Sequence, residues 1–143
     1  MIITSDDIRK RIANLWPDID MVLLTDRLYL IPKLRDYVDI IKKHSVKDLQ
    51  FVPNIRECEE FSAKIVSDIR NGRAEKVLSN EINKDEMFNY CIGIAMGWKF
   101  KYYNNPHTLV IFLTTDEVYF LDPQTDRFWE ADPNNDDVFF IGM

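Results

Sequence analysis

His107-Thr-Leu-Val-Ile-Phe-Leu113, Thr114-Thr-Asp-Glu117 and Val118-Tyr-Phe-Leu-Asp122-Pro123 make up the stretch whose reading decides the fold. Two runs rich in β-branched and aromatic residues around a short polar link are the signature of a β-hairpin. The link folds the strands antiparallel, so the first residue of one and the last residue of the other return to the same end of the sheet. His107 and Asp122, fifteen positions apart, are therefore expected as neighbours. An imidazole beside a carboxylate is what a nucleophile-activating site needs, and Cys58, upstream in a helical pattern, is the candidate nucleophile.

Composition bounds the rest. A chain of 143 residues, 46% of them hydrophobic, can bury one sizeable core, which predicts a single domain over 1–143. The balance of 18 basic against 24 acidic residues gives a net charge of -6, which supplies no basic field for nucleic acid or an anionic membrane. Apolar runs such as Leu109 to Leu113 are too short to span a bilayer, and Met1-Ile-Ile-Thr-Ser-Asp-Asp7 lacks the basic start of a secretory signal. A cytoplasmic location is expected. Cys58 and Cys91 are too few for a disulfide scaffold or a four-ligand zinc site, and His44 and His107 are the only histidines. Both thiols are expected reduced, with no metal and no cofactor.

Along the chain, Ser5-Asp-Asp-Ile8 predicts a short helix through Leu15 that Pro17 ends. Val22 to Ile31 reads as extended and is stopped by Pro32. Leu34, Val38 and Ile41 recur at helical spacing up to His44. Over Arg56 to Arg70, Phe61, Ile65, Val66 and Ile69 define the strongest helical pattern, with Cys58 in the first turn on the inward face. Asn71-Gly72 is expected to stop that helix, leaving Arg73 to Met87 as loop or a short helix. Tyr90 to Phe100 reads as a strand interrupted by Gly93 and Gly97, and short strands are expected at Arg127 to Glu130 and Val138 to Ile141. Helices first and strands afterwards predict an α+β fold, N-terminal helices packed on a C-terminal antiparallel β-sheet.

The order of a cysteine early in a helix, a histidine opening a strand and an aspartate closing the next resembles the transglutaminase-like and papain-like cysteine hydrolase superfamily. The step from His107 to Asp122-Pro123 is like the His to Asp-Pro spacing of transglutaminase-like domains. Glu57-Cys58-Glu59-Glu60-Phe61-Ser62-Ala63 and Tyr119-Phe-Leu-Asp122-Pro123-Gln124-Thr125-Asp126 are similar to small, mostly phage-associated members. The resemblance implies a papain-like core in a phage-encoded protein of the host cytoplasm or virion. It also implies a triad of Cys58 as nucleophile, His107 as general base and Asp122 as its orienting group. The implied reaction is acyl transfer from a peptide, isopeptide or small amide, with Asn54 and Gln50 as the nearest upstream amide side chains for an oxyanion.

A different reading stands beside it. Cysteine is among the most buried residue types, a strand-end histidine can serve its own hairpin, and Asp before Pro is a common turn opener. Glu57, Glu59 and Glu60 bracket Cys58 and disfavour a thiolate. On that reading the chain is a catalytically inactive, acidic protein-binding module. The same glutamates and the run Asp132 to Asp137 would then receive a basic partner through salt-sensitive association. The acidic run lacks the central glycine and distal glutamate of a calcium loop and reads as a solvated turn. Trp98, Phe100, Tyr102 and Tyr103 gather ahead of His107 as core or as a groove wall.

Overall fold

The computed structural model describes residues 1–83 and 87–143. Among these lie β1 (Ile2–Thr4), α1 (Ser5–Leu15), β2 (Met21–Leu23), β3 (Leu28–Leu30), α2 (Leu34–Lys43), α3 (Cys58–Leu78) and β4 (Ile92–Lys99). β5 (His107–Leu113), β6 (Val118–Asp122), β7 (Arg127–Glu130) and β8 (Asp137–Gly142) follow. A six-stranded sheet in the order β2-β8-β4-β5-β6-β7 organises the molecule, and β1 and β3 pair in a separate two-stranded sheet.

The expected hairpin forms: β5 and β6 pair antiparallel from Leu113 opposite Val118 to Val110 opposite Leu121. Side chains alternate across a sheet with a period of two, and here both faces are covered. Leu109, Ile111 and Leu113 of β5 and Val118 and Phe120 of β6 pack with Ile8, Ile12 and Trp16 of the α1 region. Val110, Phe112 and Leu121 pack instead with Tyr37 and Ile41 of α2 and with Phe61, Ile65 and Ile69 of α3. Burial on both faces is why the β5 sequence is a continuous apolar run rather than an alternating one.

The predicted arrangement is thereby corrected. The helices do not form one N-terminal layer, because α1 covers one face and α2 with α3 the other. Nor is the sheet antiparallel and C-terminal throughout, because β2 joins it parallel to β8, with Val22 opposite Ile141. The segment read as one extended stretch, Val22 to Ile31, divides between the two sheets.

Local chemistry explains the helices. Thr4 caps α1 by accepting from the Asp7 backbone N–H at 3.1 Å, and Asp6 and Asp7 lie in the first turn, where acids favour the helix dipole. The helix expected to stop at Asn71-Gly72 continues to Leu78. Gly72 has a packing reason, since a Cβ there would lie 2.9 Å from His44 Cε1. The stop comes at Asn80, with φ 59°, where the Asn80 N–H donates to the Val77 carbonyl and the Glu81 N–H to the Lys76 carbonyl. That is a Schellman cap with asparagine in the left-handed position. Of the stretch read as loop or short helix, Arg73 to Leu78 is helical, and residues 84–86 lie outside the described residues.

The acidic run is not a freely solvated turn. Asp136 is fully buried and accepts from the Lys101 N–H (2.9 Å), the Asp132 N–H (2.8 Å) and Trp129 Nε1 (3.4 Å). Trp16 Nε1 donates to the Asp136 carbonyl at 2.7 Å, so this one aspartate ties α1, the β4–β5 connection and the β7–β8 loop together.

Candidate functional site

Cys58 is the first residue of α3, after Glu57 at the N-cap in an extended conformation. Here the acids have local work. The Glu60 carboxylate accepts from the Glu57 N–H at 2.9 Å, and the Glu57 carboxylate accepts from the Asn54 N–H at 3.0 Å. Glu57 and Glu60 therefore fasten the start of the helix, as a capping box does. Glu59 is left facing the thiol, and Cys58 Sγ donates to its carboxylate at 3.3 Å. Burial raises the Cys58 pKa, hydrogen bonding from Thr108 opposes the rise, and Glu59 adds to it. The net shift is upward, so Cys58 is a protonated thiol at neutral pH.

Thr108, not His107, is the strand residue at the Cys58 sulfur. The Ser62 hydroxyl, one turn further along α3, donates to the Thr108 carbonyl at 3.4 Å. The pleat accounts for this: Thr108 belongs with Val110 and Phe112 on the α3 face, whereas His107 belongs with Leu109 and Ile111 on the α1 face.

His107 stacks on Tyr103, with ring centroids 3.8 Å apart and planes 10° from parallel. Its Nε2 is buried without a hydrogen-bond partner. Burial lowers the His107 pKa, while the charges of Asp122 and Glu59 pull it back up. The imidazole is neutral at pH 7. Asp122 is fully buried, and its carboxylate accepts from the Tyr103 hydroxyl and, at 3.0 Å, from the Gln124 N–H. Burial, then the Asp122 carboxylate, pushes the Tyr103 phenol well above its ordinary range.

Cys58, His107 and Asp122 thus lie at one end of the sheet, but no hydrogen bond links His107 to either of the other two. Tyr103 bridges His107 and Asp122, with its ring stacked on the imidazole face and its hydroxyl donating to the Asp122 carboxylate. It was legible only as one member of an aromatic run, because nothing in its spacing singles it out from Trp98, Phe100 or Tyr102. Asn54 has a left-handed φ of 59° and serves the turn before α3, while the Gln50 carbonyl accepts from Arg56 Nη1 at 3.2 Å. Neither side chain makes a hydrogen bond to Cys58. Cys91 is buried and its pKa is pushed up to about 12, chiefly by desolvation. Among the described residues no group of three or more His, Cys, Asp or Glu side chains is placed to hold a metal ion. No helix among them is long and apolar enough to cross a membrane.

No family model and no curated protein sequence matches the chain. Solved structures do. A structure described as a PSL1a–E64 complex matches with a TM-score of 0.73 at 19% identity, over 99% of this chain and 51% of that one. The Polyporus squamosus lectin bound to the human-type influenza-binding epitope Neu5Acα2-6Galβ1-4GlcNAc matches with a TM-score of 0.73 at 17% identity, over 99% of this chain and 49% of the lectin. These likenesses correct the resemblance drawn from the order Cys58, His107, Asp122, and the hydrolase expectation built on it loses its support. A three-residue order is a small sample of a chain, whereas the likeness to these structures runs through nearly all of it. At these identities what is shared is the fold, and the chain spans about half the length of the proteins that share it.

Proposed function

We propose that this protein is a non-catalytic binding module whose acidic end, at the start of α3, receives a basic segment of a partner protein. One observation carries the reading: the Asp122 carboxylate is taken by Tyr103 and the Cys58 thiol by Glu59, while the buried Nε2 of His107 has no hydrogen-bond partner. A thiol held protonated, with Glu59 and Thr108 rather than a base at its sulfur, is a poor nucleophile. Glu59 and Glu60 are exposed at that end, and their negative charge suits a lysine- or arginine-bearing segment.

A second reading, glycan binding, is favoured by a separate observation. Trp98 is 57% exposed and packed on Phe139 at 4.5 Å, and Tyr102 is 43% exposed beneath Arg127 at 3.7 Å. Exposed rings of this kind offer the apolar platforms on which a sugar face can rest.

Titration with an oligolysine peptide, with Neu5Acα2-6Galβ1-4GlcNAc and with E64 separates these readings. Oligolysine should bind, with affinity falling by about tenfold as salt screens the charges and falling again in Glu59→Gln. Selective, salt-insensitive binding of the trisaccharide that is lost in Trp98→Ala would replace this reading with the second. Hydrolysis of a peptide amide, or an E64 mass adduct, that disappears in Cys58→Ala would overturn the non-catalytic reading altogether.

A further inference from the structure

A cleft of about 470 Å³ lies between the middle of α3 and the β8–β2 end of the central sheet. It falls within the range of small-molecule sites, roughly 300–1,000 Å³. Val66 and Arg70 of α3 form one wall, and Leu23, Ile94 and Phe140 line the sheet side. Leu23 is 53% exposed, so the apolar lining continues to the surface. Arg70, at the far end of the cleft from Cys58, lies twelve residues further along α3, roughly 18 Å at 1.5 Å per residue, and Cys58 does not line the cleft.

The polar chemistry of the cleft is one-sided. No Asp or Glu lines it, although the chain as a whole carries a net charge of -6. Arg70 is held in place by donation from Nη2 to the Ile92 carbonyl at 3.1 Å, and its Nε is buried with no hydrogen-bond partner. Arg70 takes part in no ion pair among the described residues. A guanidinium fixed by one backbone carbonyl, with no ion-pair partner among the described residues and set in the wall of an apolar cleft, is a receptor for an anion carried on an apolar body.

We propose that this cleft binds a small amphipathic carboxylate, with its chain along Val66, Ile94 and Phe140 and its carboxylate on Arg70. A carboxylate matches a single guanidinium, and the apolar walls favour an alkyl or aryl remainder over a free inorganic anion. Decanoate, 1-decanol and decyltrimethylammonium share a chain and differ in head group, so calorimetric titration below their aggregation thresholds reads the selectivity. The protein should bind one decanoate at least about tenfold more tightly than decanol, the difference expected of one charge-assisted hydrogen bond. Decyltrimethylammonium should bind most weakly of the three. Arg70→Gln, which keeps a donor for the Ile92 carbonyl, should bring decanoate down to the decanol value. Ser67→Trp, at an exposed position on the cleft rim, should weaken all three ligands, and it decides the matter should Arg70→Gln fail to fold. No saturable decanoate binding, equal affinity for decanoate and decanol, or decanoate binding undiminished in Ser67→Trp would each overturn the proposal.

Discussion

The two faces of the central sheet are built from the same strands and end differently. The α1 face is filled over β5 and β6, where Ile8, Ile12, Trp16, Phe120 and Trp129 meet in one core, and at its edge, beside a depression of about 350 Å³, buried Asp136 holds Trp16, Lys101, Trp129 and Asp132 by hydrogen bonds. The α3 face is closed over β5 by Phe61, Ile65 and Ile69 but is left open beyond β4, where the cleft lies. The pleat gives His107 and Asp122 the same parity and turns Thr108, not His107, toward α3 and Cys58. What the difference teaches is that strand parity, more than nearness in the chain, decides which side chains can act together.

The comparison breaks most sharply at Asp136. Asp136→Ala should remove the acceptor for the Lys101 and Asp132 N–H groups and for the Trp129 indole, stranding one buried and two part-buried donors. The loss should be at least about 3 kcal/mol, since each buried unsatisfied group costs about 1–3 kcal/mol. Urea denaturation measures it, and a loss below about 1 kcal/mol would mean that water replaces the carboxylate and that the α1 face is not locked there.

Neighbouring residues on α3 sharpen the contrast between closed and open parts of one face. Ile65 is fully buried over the sheet, and Val66 borders the cleft. Ile65→Ala should cost about 3 kcal/mol, within the usual range for a sealed core. Val66→Ala should cost about 1 kcal/mol, close to the transfer value alone, because the cleft already admits solvent. Equal losses from chemical denaturation would show that the cleft is closed in solution.

Much of this was legible. The two runs rich in β-branched and aromatic residues around the polar link at Thr114 to Glu117 mark the hairpin, and capping plus spacing mark α1 and α2. The pleat is equally readable, and its period of two turns Thr108, not His107, toward Cys58. Asn71-Gly72 looked like a helix stop because sequence does not show His44 packed against Gly72. The parallel docking of β2 beside β8 joins Val22 to Ile141, a pairing at a separation over which local pattern carries no information. Asp136 was hidden in a run of acids, since composition cannot say which of several aspartates is turned inward.

Tyr103→Phe tests the join between His107 and Asp122. Removing the hydroxyl leaves the ring stack but deprives the buried Asp122 carboxylate of one donor, and the cost should be about 1–2 kcal/mol. The freed carboxylate should also act more strongly on the imidazole, so NMR titration should place the His107 pKa higher in Tyr103→Phe than in the parent. An unchanged His107 pKa would mean that Tyr103 is not what separates the two groups.

The smallest expected effect is the dependence of stability on pH through His107. Burial lowers the folded-state pKa of His107 below its ordinary value of about 6.5, with Asp122 and Glu59 limiting the shift. Between the lowered folded pKa and the unfolded value, the unfolded chain binds more protons, so stability rises with pH across that window. The contribution is fully present above about pH 6.5 and is lost as pH falls through the window to the folded pKa. His44 is shifted the same way, chiefly by burial and Lys43, whereas Glu117 is raised by Glu130 and contributes with the opposite slope. Thermal melts of the parent and of His107→Phe from pH 7.5 to 5 isolate the His107 share, because His44 and Glu117 are common to both. The parent should lose more of its Tm on acidification than the variant. Parallel curves would mean that His107 is solvated in both states, and the closed face would then end before the first residue of β5.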